Sequence, residues 1–105
     1  MSRYGLIGSV RAHSGKRDEL LAILKEGAET VAGVPGCEVY IVSTSPGDED
    51  AVWFMEAWTS EVDHKASLSD SRIRAIIDRA MPLIAGMGDQ VVLEPLVGKG
   101  LLATS

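Results

Sequence analysis

The chain carries one cysteine, Cys37, so no disulfide can form within it. Its fold must be held by a packed core, and a lone thiol fits a reducing cytoplasm. Cys37 itself is expected as a small buried apolar residue. Basic patches are also missing. Ten Lys and Arg stand against fifteen Asp and Glu, a net charge of −5, which excludes nucleic acid and anionic membrane as partners. No apolar run approaches the length of a membrane span, and the first residues lack the apolar core of a signal peptide. The two histidines, His13 and His64, lie far apart, with no HxH, HxxxH or cysteine pair, so no metal site is expected. No glycine-rich phosphate loop follows a strand, Gly98-Lys99-Gly100 matching none, and no nucleophile motif surrounds a serine. Aromatic residues are few, at 5%, yet Trp53, Phe54 and Trp58 fall in one short stretch.

That stretch organises the chain. Val52 to Trp58 reads as a strand, and Thr59-Ser60-Glu61-Val62-Asp63 reads as the start of a helix capped by Ser60. Alternation puts Val52, Phe54, Glu56 and Trp58 on one face and Trp53, Met55 and Ala57 on the other. Both faces are largely apolar, so both need cover. Glu56 is the one acid in the run, and among bulky neighbours it must find a partner, shift its pKa or reach water. His64 follows close to the junction.

Around this segment the order is regular. Tyr4 to Arg11 is a strand with Tyr4, Leu6, Gly8 and Val10 on one face. Ser14 is expected to cap a helix beginning near Lys16, with Leu20, Ile23, Leu24, Gly27, Ala28 and Val31 at helical spacing. Gly33, Pro35 and Gly36 end it. Cys37 to Thr44 is a second strand, and the acidic loop from Ser45 to Asp50 joins it to the third as a hairpin. The second helix is broken around Ser69-Asp70-Ser71 and resumes through Ile73, Ile76, Ile77 and Ala80 until Pro82, Gly86 and Gly88 stop it. Gln90 to Val97 is a fourth strand, with Pro95 marking an edge or bulge. The expected fold is therefore α+β, a ferredoxin-like βαββαβ sandwich in a single domain over 1–105, with its core at about 4–97 and a tail at 98–105. Helices cover one sheet face only. The other, with Trp53, Met55 and Ala57, calls for a second copy of the chain.

Three pieces resemble one family. Ala12-His13-Ser14-Gly15-Lys16-Arg17-Asp18-Glu19-Leu20 resembles the first strand-to-helix junction of the antibiotic biosynthesis monooxygenases. Pro35-Gly36-Cys37, leading to Tyr40, resembles their second strand. Phe54-Met55-Glu56-Ala57-Trp58-Thr59-Ser60, followed by His64, resembles their most recognisable motif. The resemblance implies a homodimeric α/β barrel with a pocket in each subunit between sheet and helices. It also implies oxidation of quinols or aromatic polyphenols and polyketides with O2, without metal or flavin. Haem-degrading members rely on an Asn, a Trp and a His. This chain has no Asn, and Leu68 lies near where that branch carries its His, so haem degradation is not expected.

The chemistry needs a base, an orienting wall and a way to hold an anion. His64 suits the base, since imidazole ordinarily titrates near neutrality. On a helix it shares a side with Leu68, so a buried Leu68 would turn His64 inward. Glu56 is the second catalytic candidate, orienting His64 or acting as base, against an ordinary ion pair with Arg72, Arg74 or Arg79. Trp58, Tyr40, Phe54 and Leu68 are the expected substrate-binding residues, each equally a packing residue. His13 is expected in solvent. The broken second helix is the expected lid. Two other functions use the same parts: a non-catalytic dimeric module that binds a small apolar molecule, and an isomerase or cyclase with His64 as base.

Overall fold

The computed structural model of the chain describes residues 2–102. Its elements are β1 (Tyr4–Ala12), α1 (Arg17–Val31), β2 (Cys37–Ser45), β3 (Asp48–Trp58), α2 (Glu61–Ser67), α3 (Ser71–Ala80), a 3-10 turn at Met81–Leu83, and β4 (Ile84–Leu93). The strands form one sheet in the order β2-β3-β1-β4, with every neighbouring pair antiparallel. This is the ferredoxin-like arrangement, reached because each helical crossover returns the chain to the same face. That face meets α1 and α3. Val10, Ala12, Leu20, Leu24, Val52, Ala80 and Leu83 make one buried cluster, and Val31, Trp58 and Ile73 a second. Leu20, Val52 and Trp58 are the largest side chains withdrawn from water, each worth roughly 1.5–3 kcal/mol on the scale for a fully buried apolar side chain.

Four local expectations change. Lys16, without a side-chain bond, occupies the N-cap of α1, while Ser14 lies exposed in the preceding turn. The acidic loop shrinks to Pro46-Gly47, because Ser45 pairs with Asp48 and the strand resumes there. Arg11 on β1 draws the acids into the sheet, with Nη1 donating to Asp48 at 2.6 Å and Nη2 lying 3.9 Å from the Asp50 carboxylate as an ion pair. The fourth strand starts at Ile84 and ends at Leu93, so Gly86 and Gly88 belong to it and Pro95 does not. Its pairing with β1 shifts between Gly8 and Val10. At that irregularity a Cβ on Gly88 would stand 2.1 Å from the Ser9 hydroxyl, so glycine there serves close approach between strands. The break in the second helix falls as expected, with Asp70 accepting from the Arg72 N–H to open α3.

On the uncovered face Ile41, Met55, Ile7 and Val91 stand side by side in register across all four strands. Ile41 is 46% exposed, Met55 39% and Val91 47%. The next row, Val39, Ala57, Gly5 and Leu93, is partly roofed by the segment after β4. Pro95 sits over Gly5, where a Cβ would come within 2.9 Å of its ring. Arg3 anchors this segment by donating to the carbonyls of Leu96 at 3.4 Å and Leu102 at 2.5 Å, and to Glu38 at 2.8 Å. Of the tail, residues 103–105 lie outside the described residues.

Candidate active site

The corner between β3 and α2 is tied down before any chemistry is placed on it. Ser60 is extended, and its hydroxyl accepts the Asp63 N–H at 3.1 Å, the N-cap read from the sequence. Thr59 donates its N–H to the Gly36 carbonyl at 2.8 Å and its hydroxyl to the Asp63 carboxylate. Gly36 has φ +90, and a Cβ there would lie 2.7 Å from that of Asp63. Only glycine allows both the left-handed backbone and this approach. The start of β2 therefore holds the first turn of α2, and one turn further His64 is aimed at the sheet.

His64 reaches a compact aromatic and acidic cluster. Its ring lies 5.4 Å from Trp58 in an edge arrangement at 71°, and 4.9 Å from Tyr4, stacked at 30°. Its Nε2 stands 3.9 Å from Glu56 Oε1, with the side chains 16% and 11% exposed. That separation is too long for a hydrogen bond but close enough for strong attraction once the imidazole is charged. The same Glu56 oxygen accepts the Trp58 indole N–H at 3.0 Å. Burial raises the pKa of Glu56, while the indole N–H and His64 oppose the rise. Trp58 is 1% exposed, so it forms the floor that orients Glu56 and supports His64 rather than an open wall. Two of the three suggested arginine partners are engaged elsewhere, Arg72 with Asp70 and Arg79 with Glu26, and the ion-pair partner beside Glu56 is His64.

The other expected residues spread outward from this centre. Tyr40 pairs with Glu56 in the β2–β3 register. Burial, and then the Glu56 charge, push its hydroxyl well above the ordinary range, so it stays a proton donor. Phe54 meets Tyr40 edge-on at 6.3 Å and packs against the first core cluster. Cys37 has its thiol pushed up to about 11 by burial and by Glu56 and Glu38, which leaves it inert as a nucleophile. Leu68 departs from expectation. The helix ends at Ser67, and Leu68, its C-cap, is 41% exposed. The buried neighbour of His64 is Ser67, whose hydroxyl donates to the His64 carbonyl at 2.6 Å. His13 is exposed, as expected.

A cavity of about 340 Å3 opens beside this cluster, between the entry to β1 (Ser2 to Tyr4), the start of α2 (Ser60 to Val62) and the end of β4 (Val92 to Glu94). It falls at the low end of the range for small-molecule sites. Neither Glu56, Trp58 nor His64 lines it. Tyr4 does, and Tyr4 is the ring stacked on His64. Tyr4 was not singled out from the sequence beyond its place on a strand face. The signal for it is the β1–β3 register that sets Tyr4 opposite Trp58, which no local pattern reveals. Among the described residues no three His, Cys, Asp or Glu side chains converge on a metal position, and no helix is long and apolar enough to cross a membrane.

Comparison with known proteins agrees with the fold. A family model described as antibiotic biosynthesis monooxygenase matches residues 3–79. A candidate antibiotic biosynthesis monooxygenase from Chloroflexus aurantiacus is 45% identical, with 92% of this chain and 96% of that one covered and a TM-score of 0.85. Another from Caulobacter crescentus, 22% identical over 91% and 92% of the two chains, shares the fold at a TM-score of 0.80. SnoaB, a cofactor-independent oxygenase from Streptomyces nogalater, does so at 0.77 with 10% identity over 94% and 98%. No curated protein sequence matches the chain. With the family model spanning most of the sequence and a solved relative nearly half identical, the chain belongs to the antibiotic biosynthesis monooxygenase family.

Proposed function

We propose that the protein is a cofactor-independent monooxygenase that oxidises a quinol or an aromatic polyphenol with O2, and that it works as a homodimer in the cytoplasm. One observation carries the reading: Glu56 lies 3.9 Å from His64, under a Tyr4 ring that is also the wall of a cavity. A phenol brought from that cavity to His64, which does not itself line it, loses its hydroxyl proton to the imidazole. Glu56, oriented by the Trp58 indole, stabilises the imidazolium that results. The electron-rich phenolate then reduces O2, and a carbon–oxygen bond forms at a ring carbon bearing hydrogen. The peroxide so formed takes the proton back from His64. It loses water as the ring C–H and the O–O bond break, leaving a carbonyl. Phenol and O2 thus become quinone and water, and atoms and electrons balance without a further reductant. Tyr40, kept protonated and paired in register with Glu56, supports the reading as a donor on the same sheet face.

The homodimer is supported by the row Ile41, Met55, Ile7 and Val91, which no helix covers. Face-to-face packing of two such sheets suits an interface of about 1,200–2,000 Å2, the usual size for a stable pair. The function is tested by oxygen uptake of chelator-treated protein across a panel of quinols and polyphenols. Uptake is expected, with a fall of about 10²–10⁴-fold in His64→Ala, the scale of a lost general base. Uptake abolished by the chelator, or untouched by His64→Ala, overturns the mechanism.

A further inference from the structure

Three features of the cavity beside His64 bear on what enters it. Its apolar lining comes from Val62, Val92 and Leu93, and its aromatic wall is Tyr4. Two carboxylates stand on it, Glu61 from the first turn of α2 and Glu94 just beyond β4. Among the described residues the one cation on its lining, Arg3, is already committed. Arg3 is paired at 2.8 Å with Glu38, whose side chain is 0% exposed, and the Arg3 guanidinium also serves the carbonyls of Leu96 and Leu102. The Arg3–Glu38 pair cancels, and the cavity presents an excess of negative charge. A carboxylate or sulfonate entering it meets two like charges at close quarters, with no uncommitted cation among the described lining residues to offset its lost hydration.

We propose that this cavity selects uncharged phenols, with Tyr4, whose ring also stacks on His64, as the aromatic wall that positions the substrate ring, and with Glu61 and Glu94 as the groups that turn anions away. The proposal rests on the reading of His64 as the base and extends it. A cavity that repels phenolates admits its substrate protonated, so the proton is still there for the base to remove. Tyr4 acts through ring area and through its stack on His64, so its hydroxyl is dispensable while its ring is not.

The test uses two hydroquinones of nearly the same shape, methyl 2,5-dihydroxybenzoate and the anion 2,5-dihydroxybenzoate, with binding measured anaerobically by calorimetry on the full chain. The ester should bind at least about tenfold more tightly than the anion at low salt. Added salt should narrow the gap by screening Glu61 and Glu94. The double variant Glu61→Gln, Glu94→Gln should bring the two affinities within about twofold. Tyr4→Phe should keep ester affinity and Tyr4→Ala should lower it about tenfold or more, both with thermal melts near the parent. Equal affinities for ester and anion, or a preference that survives the double variant, overturn the selectivity. Equal ester affinity in Tyr4→Ala overturns the positioning role. Oxygen uptake is scored separately. Selective binding without uptake by any neutral hydroquinone refutes the oxygenase reading and leaves the cavity assignment standing, whereas uptake without discrimination does the reverse.

Discussion

Glu56→Gln separates what burial of a charge costs the fold from what that charge supplies to the site. In the folded chain the carboxylate has one hydrogen-bond donor, the Trp58 indole at 3.0 Å, and a side chain 11% exposed. A carboxylate has about four acceptor positions, so most of its hydration is lost without replacement, and its pKa rises for that reason. A raised folded-state value fixes the sign. The stabilising contribution is complete below the unfolded pKa, about 4.3, and is lost as pH climbs through the folded value. The glutamine amide has the same shape, accepts from the indole with its oxygen and carries no charge. An under-bonded buried polar group costs about 1–3 kcal/mol. The variant should therefore gain on the order of 1 kcal/mol at high pH, a Tm rise of about 4–8 °C for a domain of this size. Below about pH 4 the two proteins should melt together. Turnover should move the opposite way. At 3.9 Å, opposite unit charges attract by about 4 kcal/mol at an effective dielectric of about 20. Desolvation offsets a large part of that, which leaves a loss of about 10–100-fold in turnover. Thermal melts from pH 4 to 9, run beside oxygen uptake, read both effects. A variant less stable than its parent at pH 8, or a stability difference that does not vary with pH, would refute the reasoning.

Trp58→Phe removes the one donor on Glu56 while keeping most of the ring. It should cost about 2–4 kcal/mol, the sum of an unsatisfied acceptor and a small cavity, and the cost should shrink when Glu56→Gln is combined with it, a coupling that a double-mutant cycle in denaturant measures. Met55→Glu places a charge in the middle of the Ile41–Met55–Ile7–Val91 row. Light scattering after gel filtration should then give half the parent mass with the far-ultraviolet spectrum unchanged, and an unchanged mass would move the interface off this face. Gly36→Ala meets both a left-handed φ and the Asp63 side chain. It should lower stability by about 1–3 kcal/mol and reduce turnover out of proportion to the fraction unfolded, because α2 and His64 shift with it. Full activity in the folded fraction would show that the corner does not position His64.

Periodicity alone determined the element order and the sorting of faces. Leu20, Leu24 and Val31 recur at helical spacing, and Val52, Phe54, Glu56 and Trp58 alternate along a strand, since a buried stripe or face leaves the same repeat in any chain that folds this way. The Ser60 cap and the Asp70 break were legible for a related reason, being local hydrogen bonds between residues a few positions apart. Strand ends were not. Gly86 and Gly88 read as terminators, yet both lie in β4, and Gly88 is glycine because Ser9, some eighty positions away in sequence, needs the room. Asp48 and Asp50 read as loop, yet they join β3 because Arg11 waits on the neighbouring strand. The site divides in the same way. Glu56, Trp58 and His64 stood out because an acid, a tryptophan and a histidine cluster at one strand-to-helix junction. Tyr4 was hidden because its stack on His64 exists only once β1 is laid antiparallel beside β3 in a particular register. The outward turn of Leu68 was decided by where α2 stops, and the loss of Arg3 as a free cation by a buried partner on another strand, Glu38. Sequence records what each segment must bury. Only the packed chain decides which distant group it is buried against.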